Sequence, residues 1–151
     1  MVSELDMALQ VIRSAGRGQP ADRVLREVLK HHRNLLPGVA AETSRLVFAY
    51  YRWLGWLRGE RSMPARLRLA LELAARFDAD PDGFPLDDLR ARAVPDWTSR
   101  EMDVPDDWLR QLQREPVLWL RTRRGAGADL ARQLPGAQPA DVLPDALIYR
   151  G

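Results

Sequence analysis

The sequence of 151 residues contains no cysteine and only two histidines, which are adjacent at His31 and His32. The absence of cysteine excludes disulfides, thiolate metal ligands and a cysteine nucleophile. On a helix, adjacent side chains diverge by about 100°, so these histidines cannot face one metal ion together. We predict that they are solvated or capping residues near a helix end and that the chain binds no metal.

The sequence also lacks a long hydrophobic run and a basic leader. No apolar stretch approaches the roughly 18 residues that a membrane span needs. The opening residues, Ser3-Glu4-Leu5-Asp6, are acidic, unlike the start of a signal peptide. These observations predict a cytoplasmic protein with no membrane partner.

Lysine is nearly absent, since Lys30 is the only lysine among 23 basic residues and the others are arginine. The net charge of +2 is unevenly distributed: residues 1–61 carry +4, residues 62–115 carry −4 and residues 116–151 carry +2. The planar donor fork of arginine suits phosphate groups. Genome composition can also produce such a bias, however, so the abundance of arginine does not by itself predict RNA binding.

What the sequence does contain is enough apolar material for a folded core. Hydrophobic residues make up 46% and charged residues 29%, as in ordinary soluble globular domains. Helix-type apolar spacing dominates the chain before Pro116. Predicted helices begin near Ser3, Pro20, Val39, Ser62, Leu86 and Pro105. The first of them should be capped by a box formed by Ser3 and Asp6.

The third predicted helix, from about Val39 to Arg58, is apolar around most of its circumference and should lie at the centre of a helical bundle. Its aromatic run Tyr50-Tyr51-Arg52-Trp53 could stack on bases. On so apolar a helix, however, we expect most of these rings to belong to the core.

The end of the chain has a different pattern. Residues 117–120 form an apolar run typical of a strand, glycines at 125 and 127 break it before a short helix, and Ala146 to Tyr149 resembles a second strand. We predict a mainly α fold that ends in a short βαβ segment. The predicted divisions are a helical bundle over 1–94, a linker and helix over 95–115, and the βαβ segment over 116–151.

Other polar clusters are explained by local structure. Asp78, Asp80 and Asp82 alternate as in a calcium loop, but Pro81 interrupts them and no glutamate occupies the last ligand position, so we expect turn residues. The acidic pairs at 87–88 and 106–107 begin predicted helices, where the helix dipole favours negative charge. The paired glycines at 16 and 18 and at 125 and 127 lack the context of a dinucleotide motif and are expected in turns.

Two sequence blocks carry a resemblance to a known family. The segment E-T-S-R-L-V-F-A-Y-Y-R-W-L-G-W-L (42–57) resembles the long central helix of a NusB-like domain. The second block resembles, in its order of motifs, the segment that leads into the pre-catalytic domain of Sun/Fmu-type (RsmB-like) RNA cytosine-5 methyltransferases. It consists of Pro95-Asp96-Trp97, then Pro105-Asp106-Asp107-Trp108, P-V-L-W-L-R-T-R-R (116–124), a short helix and P-D-A-L-I-Y-R-G (144–151). The resemblance covers residues 95–151 best.

The resemblance implies a NusB-like bundle followed by the start of an α+β module of ferredoxin or RRM type that binds RNA. It implies S-adenosylmethionine as the cofactor of a catalytic methyltransferase domain that would follow in the same polypeptide. This chain contains neither the glycine-rich cofactor loop nor the catalytic cysteines of that family. We therefore expect a fragment or degenerate homologue that binds no cofactor and is inactive by itself.

Arginines are the remaining candidates for an RNA site. Arg13 and Arg17 should lie one turn apart at the end of the first helix. The full set of candidates comprises Arg13, Arg17, Arg45, Arg52, Arg121, Arg123 and Arg124. Across a strand, Arg121 and Arg123 point to the same side, so they could both reach a phosphate backbone. The alternative is that Arg45 and Arg52 pair with acidic neighbours such as Glu42 and that the others only aid solubility.

Three functions follow from these observations. The first is substrate engagement by an RNA methyltransferase, with RNA, most simply ribosomal RNA, as the partner. The second is a separate NusB-like RNA-binding regulator of transcription. The third is a helical protein-interaction module whose acidic middle segment binds a basic partner.

Overall fold

The structure, a computed structural model, describes residues 2–32, 35–141 and 143–149. The chain forms two compact units, Met1–Arg114 and Glu115–Gly151. The first unit is helical, and the second contains a small antiparallel sheet and one helix. The mainly helical class with an added α+β element, predicted from the sequence, is confirmed.

The helical unit contains seven α-helices within its described residues. They are α1 (Glu4–Ser14), α2 (Ala21–His31), α3 (Pro37–Arg52), α4 (Met63–Ala79), α5 (Leu86–Arg92), α6 (Thr98–Glu101) and α7 (Asp106–Gln113). Short 3₁₀ turns follow α3 at Leu54–Trp56 and α4 at Pro81–Gly83. The predicted linker region thus contains α6, and α7 contributes the buried residue Leu109 to the core.

The start of α1 is fixed by the predicted capping box. The Ser3 Oγ accepts a hydrogen bond from the Asp6 backbone N–H at 3.1 Å, and an Asp6 carboxylate oxygen accepts one from the Ser3 backbone N–H at 3.3 Å. These bonds satisfy backbone donors that have no partner within the helix. The hydrogen bonds from the Ser3 side chain and backbone lower the pKa of Asp6.

Replacing Ser3 with alanine should lower the free energy of unfolding by about 1 kcal/mol because an N-cap is lost. Since the pKa of Asp6 is lowered by folding, its contribution is present at neutral pH and is lost as the pH falls below about 4. Urea unfolding at pH 7 and at pH 3 measures both effects. An equal loss of stability in the variant at both pH values would contradict the role given to the carboxylate.

The helices pack around a core centred on Trp53, which is fully buried. Its ring lies 5.7 Å from that of Phe77 and 5.5 Å from that of Phe84, measured between centroids, and Phe77 and Phe84 are 5.1 Å apart. The prediction that the third helix lies at the centre of the bundle is only partly confirmed, because one of its large apolar side chains is exposed. Leu46, Val47 and Tyr50 are buried, whereas Phe48 remains 48% exposed.

The prediction that the third helix extends to Arg58 is wrong, because α3 ends at Arg52 and the chain continues as a 3₁₀ turn. A Cβ atom built on Gly55 would lie 2.0 Å from the carbonyl oxygen of Arg92. The glycine therefore permits a close approach between this turn and the end of α5. This contact joins residues that are distant in sequence, so helical periodicity cannot indicate it.

The second unit contains β1 (Leu118–Arg121), α8 (Gly127–Gln133), β2 (Ala137–Ala140) and β3 (Leu143–Tyr149). Its strand order is β1-β3-β2, and both pairings are antiparallel. The predicted βαβ segment therefore lacks β2. It also places the start of the last strand at Ala146, whereas β3 begins at Leu143. The sequence does not predict β2 because Pro139 is unfavourable within a strand. Proline is tolerated at this position because β2 is an edge strand.

Candidate nucleic-acid interface

The prediction that Arg13 and Arg17 lie one turn apart at the end of the first helix is wrong for Arg17, because α1 ends at Ser14. Arg13 is in the last turn of α1, and Arg17 is in the tight turn closed by a backbone bridge between Gly16 and Gln19. Both side chains are exposed. This turn also accounts for the first pair of glycines, as predicted.

Arg45 forms an ion pair within its own helix. Its Nε and Nη2 donate to the two carboxylate oxygens of Glu42, each at 2.7 Å. These hydrogen bonds lower the pKa of Glu42. The predicted alternative, in which Arg45 pairs with Glu42, is therefore confirmed, and the pair offsets much of the Arg45 charge.

Arg52 lines an open groove of about 480 Å³ in the helical unit, together with Arg58, Arg66 and Arg92. We call this feature the arginine groove. The four side chains come from α3, the segment after the 3₁₀ turn, α4 and α5. Of these four arginines, only Arg52 is a candidate from the sequence, because the other three converge through tertiary packing and share no spacing that indicates a common site.

In the sheet unit, Trp119 and Arg121 project from the same face of β1, since side chains alternate along a strand. Their cross-strand partners on that face are Ile148 and Ala146 of β3. Trp119 is 49% exposed and Arg121 is also exposed. These four residues define what we call the Trp119 face.

The opposite face of the sheet is different in character. It carries Leu120 and its partner Leu147, which is fully buried. Leu118 lies on the same face as Leu120 and is 54% exposed, so both faces of β1 are partly accessible. Arg121 is a candidate from the sequence, whereas Trp119 was expected only in the apolar core of the strand, although period-two alternation places it on the same face as Arg121.

The expectation that Arg123 aligns with Arg121 along the strand is wrong, because β1 ends at Arg121. The Thr122 backbone N–H still donates to the carbonyl of Asp145 at 2.8 Å, and the chain then turns away. Gly125, with φ of 76°, adopts a conformation that favours glycine, and its N–H donates to the Asp145 carboxylate at 2.9 Å. Arg123 and Arg124 are exposed in this loop.

The aromatic residues of α3 belong mainly to the core, as expected. Tyr50 is 4% exposed and Trp53 is fully buried, so neither ring offers a face for stacking. Tyr51 is half-buried, and burial together with the neighbouring Tyr50 raises its pKa. Base stacking on this helix is therefore excluded for Tyr50 and Trp53.

The acidic clusters have structural partners. Asp80 caps the 3₁₀ turn through a 3.0 Å bond from the Gly83 N–H, as expected of a turn residue. Arg90 contacts the carboxylates of Asp106 at 2.8 Å and Asp87 at 3.2 Å, and Arg92 contacts Asp88 at 3.3 Å. Three of the twelve acidic side chains in residues 62–115 thus form ion pairs with Arg90 or Arg92.

The histidines show no metal geometry. The His31 ring approaches the carbonyl oxygen of Glu27 with its Nδ1 at 2.7 Å, which is the interaction of a capping residue at the end of α2. Across residues 2–32, 35–141 and 143–149, no group of three or more histidine or acidic side chains is arranged to hold a metal ion.

Comparison of the chain with protein families, with curated proteins and with solved structures found no match. None of the helices in the described part of the chain combines the length and apolarity needed to cross a lipid bilayer. The functional assignment therefore depends on the two surfaces described above and on the sequence resemblance.

Proposed function

We propose that this chain binds single-stranded RNA through the Trp119 face. The observation that carries the proposal is the pairing of an exposed indole with an exposed guanidinium on one face of a small antiparallel sheet. An indole stacks on any base, and an arginine two residues along the same strand can contact the adjoining phosphate. The two positions are about 7 Å apart along the strand, which is compatible with neighbouring nucleotides.

The loop after β1 extends this basic surface. Arg123 and Arg124 are exposed there, and the bond between Asp145 and Gly125 restrains the loop. A restrained loop loses less conformational entropy when it binds than a free one does. We infer that the loop arginines contact the RNA backbone without base specificity.

The biological role we propose is RNA engagement for an S-adenosylmethionine-dependent RNA cytosine-5 methyltransferase in the cytoplasm, most simply on ribosomal RNA. The order of the two sequence blocks that resemble this family supports this role. It also supports our proposal that the helical unit is NusB-like. Methyl transfer would belong to a domain outside these 151 residues. The interaction-module alternative would use the acidic side chains of residues 62–115 other than Asp87, Asp88 and Asp106, which have arginine partners.

The test is fluorescence anisotropy with a labelled single-stranded oligoribonucleotide. Trp119→Ala should weaken binding by about 1–3 kcal/mol, roughly 5- to 150-fold, because one stacked base is lost. Arg121→Ala should reduce the slope of log affinity against log salt by about 0.7, the value for one phosphate contact on a single strand.

Matched controls are available in the same chain. Trp97 is 56% exposed but lies in the helical unit, and Arg132 is exposed on α8, where it pairs with Asp129. Trp97→Ala and Arg132→Ala should leave the affinity nearly unchanged. Equal losses in Trp97→Ala and Trp119→Ala, or affinity independent of salt in the unmodified protein, would refute the proposal.

A further inference from the structure

The two edges of the small sheet differ in what their backbones offer. On β2, the Ala137 N–H donates to the Leu134 carbonyl at 3.1 Å and so points away from β3. Alternation places Pro139 on the same outward side, where it has no N–H to donate. The register of β2 is also irregular between Pro139 and Ala140. Proline and such irregularities keep an edge strand from pairing, so the edge at β2 is closed.

The edge at β1 is regular and open. The Thr122 N–H donates to the Asp145 carbonyl of β3 at 2.8 Å, so alternation directs the even-numbered residues toward β3 and directs Trp119 and Arg121 outward. Among the residues that the structure describes, β1 pairs with β3 alone. Its span, Leu118–Arg121, contains no proline, lysine or bulge. The outward backbone groups therefore form a template for another strand.

Exposed apolar side chains accompany this open edge. Leu118 is 54% exposed, Trp119 is 49% exposed, and Val117, directly before the strand, is 38% exposed. The helix of this unit, α8, has its main contacts with β2 and β3. The strand β1 thus combines a backbone that can pair with apolar side chains that another strand would cover.

We propose that β1 pairs antiparallel with β1 of a second copy of this chain, about a two-fold axis at Trp119. In this register Trp119 lies opposite the Trp119 of the second copy, and the two residues exchange backbone hydrogen bonds because both point outward. Arg121 lies opposite Val117, and Leu118 lies opposite Leu120. Outward residues thus meet outward residues, and the exposed Leu118 gains an apolar neighbour.

The distribution of charge along the strand favours the antiparallel orientation. Arg121, Arg123 and Arg124 lie at and beyond the end of β1, whereas Arg114 and Glu115 before it balance each other. A parallel pair would place the two basic ends side by side, which is unfavourable for like charges. The antiparallel pair places each basic end beside the neutral start of the other copy. The same strand therefore supplies both complementary halves.

The first test is sedimentation velocity of the full chain between about 10 μM and 1 mM. Because the shared ladder is short, the dimer should be weak, with a dissociation constant on the order of 0.1 mM. Leu118→Lys should weaken it by about tenfold or more, since a charge would lie opposite Leu120. Leu143→Lys is the matched control, because Leu143 is 53% exposed and precedes the part of β3 that pairs with β1. It should change the constant by less than about twofold.

The second test reads the register, since the chain has no cysteine of its own and a single introduced thiol is unambiguous. Trp119→Cys should form an intermolecular disulfide with oxidised glutathione as the oxidant. Opposed hydrogen-bonded residues have Cα atoms about 5.5 Å apart, within the range of a disulfide. Arg121→Cys should cross-link at least about tenfold more slowly, because the two copies of this position would be separated by about 14 Å along the strand.

Three results would overturn the proposal: a chain that stays monomeric up to about 1 mM, equal effects of Leu118→Lys and Leu143→Lys, or equal cross-linking at positions 119 and 121. The last result would indicate association without a fixed register. Circular dichroism checks the fold of each variant. The dimer goes beyond the RNA surface proposed above, and Leu118→Lys keeps Trp119 and Arg121. Loss of the dimer in this variant with oligoribonucleotide affinity retained would support the edge of β1 as a separate interface.

Discussion

Replacing Trp53 with alanine is expected to lower the free energy of unfolding of the helical unit by about 3–5 kcal/mol. The indole is fully buried, and its ring lies 4.8 Å from that of Trp56, 5.7 Å from that of Phe77 and 5.5 Å from that of Phe84. Removing it takes away buried apolar area and leaves a cavity that the neighbouring rings cannot fill without moving. The tilted geometry of these rings adds to the loss, because edge-to-face contacts contribute beyond burial.

Urea unfolding followed by circular dichroism measures this effect, since the helices supply most of the signal. Phe48→Ala is the matched control, because Phe48 lies on α3, which ends directly before Trp53, and is 48% exposed. Phe48→Ala should lower the free energy of unfolding by at least about 2 kcal/mol less than Trp53→Ala does. Similar losses in the two variants would contradict the position of Trp53 at the centre of the core.

Replacing Gly55 with valine is expected to lower the free energy of unfolding by about 3 kcal/mol, at the upper end of the usual cost of overpacking. A Cβ atom at this position would meet the Arg92 carbonyl oxygen at 2.0 Å and its carbonyl carbon at 2.9 Å. These are backbone atoms, so the clash cannot be relieved by a rotation of a side chain. Either the 3₁₀ turn or the end of α5 must move.

Gly59→Val is the control for Gly55→Val, because a Cβ at Gly59 meets nothing within 4 Å. It should change stability by no more than about 0.5 kcal/mol. A Gly55→Val protein as stable as the Gly59 variant would show that the close approach is not needed.

The sequence predicted those features of the structure that depend on residues within one turn of a helix. The capping box of Ser3 and Asp6 predicted the start of α1, and Ser62 predicted the start of α4, where its Oγ accepts the Ala65 N–H at 3.2 Å. The pairing of Arg45 with Glu42 was also predictable, because residues three apart are neighbours on a helix surface. In each case the partners lie within one turn of helix.

The sequence was insufficient where distant residues determine the result. The 3₁₀ turn after α3 places Gly55 against the Arg92 carbonyl, and β2 contains Pro139 and pairs with β3. The candidate site follows the same rule. Arg121 was identifiable within its strand, whereas the convergence of Arg58, Arg66 and Arg92 depends on packing between helices.

The arginine groove has a consequence for control. Guanidinium groups remain charged at every physiological pH and are not substrates of lysine acetylation, and Lys30, the only lysine, lies on α2. Neither mild acidification nor acetylation of lysine can therefore neutralise the groove.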